Sequence, residues 1–320
     1  MDRTEFSELA GRHRHELLVH CYRMLGSFTE AEDAVQEVML RAWRSRESYA
    51  GLASFKAWLY RIATNVCLDL LRVRGREVAV TEDVLGGGAR AATAEVTWLE
   101  PIPDRVLDAA EGSPEAAVIA RETIELAFLA AIQHLPVKQR AVLILRDVLG
   151  WPAEETAGAL EMSVAAVKSA LQRARETMRG NLPADRGEWG PVGEPDKGDR
   201  EILRRYVEAS QRADVGELAA LLREDARQAM PPANLLFAGR AAIIAMWERA
   251  LVGADAWGEW RTVEIGANRQ PAVANYVRRP GEDRFSAVNI DVLRLADGLI
   301  VEITTFGPEL LPAFGLEPSL

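Results

Sequence analysis

The sequence predicts a multidomain fold in which two all-α units are followed by an α+β unit. Three observations carry that expectation. Apolar residues recur at helical spacing over the first 78 residues or so and again from 115 to 182, whereas Ser286–Leu295 and Leu299–Phe306 alternate with a period of two. Between those last two segments stands Asp297-Gly298, the pair that favours a tight hairpin turn. Two stretches rich in Pro and Gly interrupt the helical pattern: one holds Gly86-Gly87-Gly88, Pro101, Pro103 and Pro114, the other runs from Asn181 to Gly198 with seven such residues after Leu182. The expected boundaries are therefore 1–78, 79–114, 115–182, 183–198 and 199–320.

Composition narrows the function. The 320 residues are 48% hydrophobic and 27% charged, ordinary values for a globular chain. No apolar run approaches the ~18 residues that a membrane span needs. The opening Met1-Asp2-Arg3-Thr4-Glu5 leads into a polar helix rather than the apolar core of a signal peptide. The two cysteines, Cys21 and Cys67, form no CxxC pair, so a reduced, cytoplasmic setting is expected. A formal net charge of −10 argues against a uniformly basic nucleic-acid binder and directs attention to local charge.

The clearest local chemistry lies between 151 and 180. Ala153–Leu160 is expected to form a short helix behind Pro152. Glu161-Met162 turns the chain, and Ser163 caps a second helix reaching about Arg179. On that helix Val164, Val167, Leu171, Ala174 and Met178 share one stripe, while Lys168, Ser169, Gln172, Arg173, Arg175 and Arg179 occupy the neighbouring faces. Four cations stand against Glu176 alone. An apolar stripe beside a basic, hydrogen-bonding face suits a recognition helix in the major groove; a solvated face on an ordinary helical hairpin has the same pattern.

Nearer the N-terminus, Val35, Val38, Met39 and Trp43 form an apolar stripe flanked by Asp33, Gln36 and Glu37, acidic and amide groups suited to a basic protein partner. Ser54–Asn65 then interleaves Phe55, Trp58 and Tyr60 with Lys56, Arg61 and Asn65, a mixture suited to unpaired bases. Phe55, Trp58 and Ile62 also read as core, leaving Tyr60, Arg61 and Asn65 as the candidates for nucleic-acid contact.

These segments together resemble the sigma-70 family. His20–Trp43 is similar to region 2.2 and its approach, Phe55–Arg76 to regions 2.3 and 2.4, with the W-L-Y-R-I-A-x-N core at Trp58–Asn65. Leu135–Arg179 is similar to region 4, with the V-[KR]-S-x-x-x-R-A-R-E run at Val167–Glu176. The pair of regions without regions 1.1 and 3 resembles the short extracytoplasmic-function group. Pro152 and Ala166 depart from the family's usual Ser/Thr and Thr. The resemblance implies a σ2 helical bundle and a σ4 helix-turn-helix. It also implies core RNA polymerase (β′ clamp helices, β subunit) and promoter DNA as partners, with no membrane attachment. It places Asp33, Gln36 and Glu37 on the polymerase, Tyr49 (in the Ser48–Ser54 loop), Tyr60, Arg61 and Asn65 at the −10 element, and Lys168, Ser169, Gln172 and Arg173 at the −35 element.

Residues 79–115 hold eight carboxylates against Arg90 and Arg105, so an extended acidic strand could imitate nucleic acid in a basic channel, or serve as a plain spacer. Trp98-Leu99-Glu100-Pro101 resembles a linker motif of sigma factors with C-terminal extensions. The C-terminal unit resembles the SnoaL-like branch of the NTF2 fold, a cone that can hold a small-molecule or protein ligand. Its candidate pocket residues are Trp247, Tyr276, Asn289 and Asp291. Asp291 falls on the strand face opposite Val288, Ile290 and Val292, open to either cavity or solvent. His13, His15, His20 and Cys21 lack the i+3/i+4 convergence of a metal site, so no metal is expected. The expected protein is an alternative sigma factor with a C-terminal domain regulating it in cis, neither an enzyme nor a cofactor carrier. The alternatives are a ligand-sensing helix-turn-helix activator and a SnoaL-type isomerase or hydrolase fused to a regulatory module.

Overall fold

The computed structural model describes residues 2–49, 54–74, 99–108, 124–182, 197–231, 233 and 235–320. Contacts divide the chain into two compact units, one within 1–85 and 106–191, the other within 86–105 and 192–320.

The first unit is helical: α1 (Arg3–Arg12), α2 (Arg14–Leu25), α3 (Phe28–Ser45) and α4 (Phe55–Arg74) form its N-terminal part. Local chemistry sets their ends. Asp2 accepts hydrogen bonds from the amides of Thr4 and Glu5, and Ser27 accepts one from Glu30. Gly26, at φ 75°, supplies the left-handed C-cap that ends α2. Leu17, Tyr22, Leu25, Val35, Val38, Leu59 and Ala63 are buried between α2, α3 and α4. After α5 (Asp104–Asp108), four helices complete the all-α portion: α6 (Leu126–Gln133), α7 (Val137–Leu143), α8 (Ala153–Leu160) and α9 (Val164–Asn181). Arg140 of α7 is buried, donating to the Met24 carbonyl at 2.8 Å and to that of Gln133 at 3.1 Å, and so joins the two helical parts of this unit. These buried charge-assisted bonds cap carbonyls that water cannot reach.

The second unit contains α10 (Lys197–Gln211), α11 (Val215–Leu221), α12 (Arg240–Leu251) and one six-stranded sheet. The strands are β1 (Leu222–Met230), β2 (Leu235–Ala238), β3 (Glu259–Ala267), β4 (Gln270–Arg278), β5 (Ser286–Ala296) and β6 (Leu299–Phe306). Their order is β2-β1-β6-β5-β4-β3, antiparallel except for β1 beside β6. Ile202 and Tyr206 of α10, Ile243 and Trp247 of α12 and Val273, Leu293, Ile300 and Ile303 of the sheet form the core. Asp297 (φ 52°) and Gly298 (φ 74°) make the expected turn between β5 and β6.

Part of the stretch 79–114, read from the sequence as an acidic inter-domain linker, is described. Its described portion Leu99–Arg105 folds as part of the second unit. Ile102 donates its amide to Asn268 Oδ1 and accepts the Asn268 amide on its carbonyl, each at 3.0 Å. Pro103 forms a bridge with Ala267, and Asp104 accepts the Arg269 amide at 2.8 Å. A Cβ at Gly266 would stand 2.5 Å from Asp104 Oδ2, so the close approach needs glycine there. Leu99 and Ile102 are buried. Trp98, Arg76, Gly86-Gly87-Gly88 and the break at 183–196 lie outside the described residues.

Candidate nucleic-acid interface

The helix-turn-helix is built by local rules. Pro152 opens α8, and its carbonyl accepts the Thr156 amide and hydroxyl, both at 3.0 Å. Glu161 turns the chain in the left-handed region at φ 52°, and Ser163 Oγ caps α9 by accepting the Ala166 amide at 3.1 Å. Val167, Ala170, Leu171, Ala174 and Met178 are buried, which rotates Lys168, Ser169, Gln172 and Arg173 into solvent. Gln172 engages Glu176 at 3.1 Å, and Arg175 grips Asp147 through two 2.8 Å bonds, a brace between α9 and the turn before α8. Lys168, Ser169 and Arg173 thus stand on one outward face of a rigid helix, the geometry for direct readout of a major groove.

On α3, Asp33 and Gln36 are exposed while Glu37 is half-buried and pairs with Arg41 at 2.7 Å; Arg41 also reaches Asp69 of α4 at 2.9 Å. Those two carboxylates hold the Arg41 guanidinium above its ordinary pKa. The result is an acidic and amide-bearing ridge with its cation already neutralised.

α4 departs from expectation at one position. Tyr60, expected among the nucleic-acid contacts, is only 4% exposed, its ring 5.0 Å from that of His20 and 6.1 Å from that of Trp151. Burial, then the charge of Glu16, pushes its hydroxyl well above the usual tyrosine range. The reason is that α4 is packed on two sides, by α2 and by the segment before α8. A helical wheel read from one stripe assigns the second contact face to solvent. Arg61 and Asn65 are exposed as expected, with Arg61 3.9 Å from Glu161 at the helix-turn-helix corner. Tyr49 is half-buried against Phe55 and Trp58, with ring centroids 5.5 and 5.3 Å away. Residues 50–53 of that loop lie outside the described residues.

Of the histidine and cysteine cluster, His20 and Cys21 are core, His13 is half-buried and His15 is exposed. His20 is fully buried with Nε2 3.0 Å from Thr64 Oγ1, and desolvation, then Arg23, lowers its pKa to about 3, so it is neutral. Cys21 and Cys67 are both buried thiols, and burial raises the pKa of Cys67. Among the described residues no group of three His, Cys, Asp or Glu side chains is placed to hold a metal.

In the second unit Asn289 and Asp291 are brought together and the other two pocket candidates are not. Asp291 accepts hydrogen bonds from Thr305 Oγ1 (2.6 Å), Asn275 Nδ2 (2.8 Å) and Tyr206 Oη (3.2 Å), while Asn289 Oδ1 accepts from Asn275 at 2.7 Å. Burial outweighs those three donors and raises the Asp291 pKa to about 6. Trp247 packs in the apolar core, edge-on to Tyr206 at 6.3 Å. Tyr276 instead donates to the Glu317 carbonyl at 3.0 Å.

Comparison with known proteins bears on this layout. Residues 9–77 match the sigma-70 region 2 family, 125–178 match sigma-70 region 4, and 203–303 match the SnoaL-like domain. The ECF RNA polymerase sigma factor SigG of Mycobacterium tuberculosis is 40% identical over 325 aligned positions, spanning 99% of this chain and 85% of that protein. The chain belongs to the ECF RNA polymerase sigma factors. SigW of Bacillus subtilis, another member, is 30% identical over 57% of this chain and 90% of its own length. The crystal structure of the Mycobacterium tuberculosis extracytoplasmic function sigma factor SigJ shares the fold, with a TM-score of 0.63 at 22% identity over 97% of this chain and 99% of that one. As a sigma factor the protein is a transcription factor that acts with core RNA polymerase at promoter DNA. No helix among the described residues is long and apolar enough to cross a membrane.

Sequence reasoning missed four positions in this sigma factor. Neither Arg140 nor Trp151 was singled out, since neither stands in a local motif of its own. Asn268 and Arg269, both at positive φ (56° and 59°), make a tight β3–β4 turn for which Asn268 was the only cue.

Proposed function

We propose that this sigma factor reads the −35 element with Lys168, Ser169, Gln172 and Arg173, and captures unpaired −10 bases with Arg61, Asn65 and the Tyr49 loop. It docks on polymerase through Asp33, Gln36 and Glu37, and it is regulated in cis through its linker. The first three assignments rest on exposed faces that the core leaves free. The fourth rests on one observation: residues Leu99–Arg105, which separate the two sigma regions in sequence, are hydrogen-bonded into the SnoaL-like unit.

That capture supplies a regulatory logic. A sigma factor must place two DNA-binding regions on two promoter elements at once, and the chain between them must be free to follow. A linker held by the C-terminal unit is withdrawn from that path. Tethering raises the local concentration of one partner at the other to roughly millimolar, so even a weak contact is largely formed. Polymerase, by binding the extended form better, would shift the balance by its differential affinity. Inhibition is the direction this favours. Within the helical unit, the −10 candidate Arg61 stands 3.9 Å from Glu161 in the free protein. The SnoaL-like unit acts here as a regulatory part rather than a catalyst, in the cytoplasm where polymerase works.

Run-off transcription with purified core polymerase and this protein as sole factor tests the reading. Promoter-specific transcripts are expected, and a folded chain ending at Leu182 should give more of them per bound polymerase. Absence of any transcript with a polymerase-bound full-length chain would overturn the sigma assignment of these residues. Equal activity of the two chains would remove the cis-regulation alone.

A further inference from the structure

The sheet of the second unit carries a polar row where a core is otherwise apolar. Thr262 of β3 lies 3.0 Å from Asn275 of β4; Asn275 donates to Asn289 and Asp291 of β5; Thr305 of β6 donates to Asp291; Gln228 of β1 donates to Thr305 at 2.8 Å. The row crosses five strands and shares its sheet face with Leu293, two residues from Asp291, and with Val273, its cross-strand partner. Tyr206 of α10 roofs it. Gln228, Asp291, Thr262, Asn275 and Thr305 are each at least nine-tenths buried.

Two features show that the row is unfinished. Gln228 is 2% exposed, its amide nitrogen is spent on Thr305, and its Oε1 has no partner. Trp260 Nε1, on the β3 face that carries Thr262, is also buried without a partner. An unpaired buried acceptor costs free energy that packing does not return, so each such group asks for a ligand. The row also reaches the surface: Asn289 and Trp260 are half-buried, and Trp257, stacked on Trp260 at 5.8 Å, is exposed.

Charge selects the ligand. The groups bearing on Asp291 are Thr305, Tyr206 and Asn275, and none is basic. From the packed elements, Arg204 and Arg205 of α10 are engaged by Glu201, Glu208 and Glu217, and Arg294 of β5 by Glu302. The titratable group that faces Asp291 directly is Tyr206, which burial keeps in its neutral form. An interior carboxylate linked through Thr305 to a carbonyl acceptor that has no partner, with the rings of Tyr206 and Trp260 on the same face, rejects anions and favours a hydrogen-bond donor with positive charge. We propose that this face of the SnoaL-like unit binds a small organic cation, a primary ammonium on an apolar or aromatic body, with the ammonium shared between Asp291 and Gln228. The proposal stands whether or not the linker is regulatory.

Titration calorimetry on the full-length protein tests it, with benzylamine and cyclohexylamine as probes and benzyl alcohol and cyclohexanol as their neutral counterparts. At pH 7.5 at least one amine is expected to bind saturably, at least tenfold more tightly than its alcohol. At pH 5 the amine remains charged while Asp291 takes up a proton, and affinity should fall about tenfold, one pH unit below a pKa of about 6. Asp291→Asn should abolish binding while keeping a cooperative thermal melt. Gln228→Leu, which leaves the carboxylate in place, should weaken binding roughly threefold to tenfold. No saturable binding of either amine, alcohols that bind as well as amines, or an unchanged affinity in folded Asp291→Asn or Gln228→Leu protein would each overturn the proposal.

Discussion

α4 and α9 are both candidate DNA-contacting helices, yet they display their polar residues in opposite ways. α9 is packed along one stripe, so Lys168, Ser169, Gln172 and Arg173 are all in solvent. α4 is packed on two sides, so Tyr60 is buried, Arg61 is close to Glu161, and Asn65 is exposed. On the assignments proposed above, the −35 candidates stand open, whereas the −10 candidate Arg61 has Glu161 3.9 Å away.

The largest effect that would break the comparison is at Tyr60. As a core ring, Tyr60→Ala should destabilise the helical unit by about 3–5 kcal/mol in denaturant unfolding, comparable to other aromatic truncations. Tyr60→Phe should leave promoter melting near wild type. A stable Tyr60→Ala protein defective only in permanganate-detected opening would return Tyr60 to the DNA-contacting set.

The interior of the C-terminal sheet gives the next largest effect. The folded-state pKa of Asp291 is raised to about 6, so the folded form binds the extra proton. Its stabilising effect is complete below the unfolded carboxyl pKa and is lost as pH rises through about 6. Asp291→Asn, which carries no titrating carboxyl, should remove this pH dependence. Thermal melts of both proteins between pH 4 and pH 8 measure the difference directly, and parallel curves would contradict the assignment.

Replacing Arg173 with Ala should cost ~1–3 kcal/mol of discrimination, roughly fivefold to a hundredfold in activity, on promoters that depend on the −35 element. Uniform loss on every promoter would indicate a phosphate contact instead. The smallest effect belongs to the Arg61–Glu161 pair. Both side chains are largely exposed, so Glu161→Gln should change stability by no more than ~1 kcal/mol, and less at high salt.

How much of this was legible in the sequence follows from how many neighbours each element has. The Ser163 cap, the α9 stripe and the Asp297-Gly298 turn depend on residues close in sequence, and each was readable there. The all-α, all-α, α+β order followed from periodicity, the Asp297-Gly298 pair and the two Pro/Gly-rich breaks. Tyr60, Arg140 and Trp151 were not readable, because their environments are made by segments ~90–120 residues away. Asp291 was placed on the correct strand alternation, but only the sheet order shows that its face is covered by α10 and joined by Gln228 and Thr305. The linker was read from its charge, while its described portion is held by Asn268, a residue 166 positions downstream of Ile102 whose amide side chain and backbone both bind it.

That contact also offers the most direct measurement. Ile102→Asp in the full chain puts a carboxylate into a buried apolar position and should release the linker, while circular dichroism and thermal melting report whether both units remain folded. Core-polymerase affinity and run-off transcription are then compared with wild type at equal occupancy. The account predicts a folded variant that transcribes more strongly than wild type; a folded variant with a released linker and unchanged affinity and transcription would contradict it.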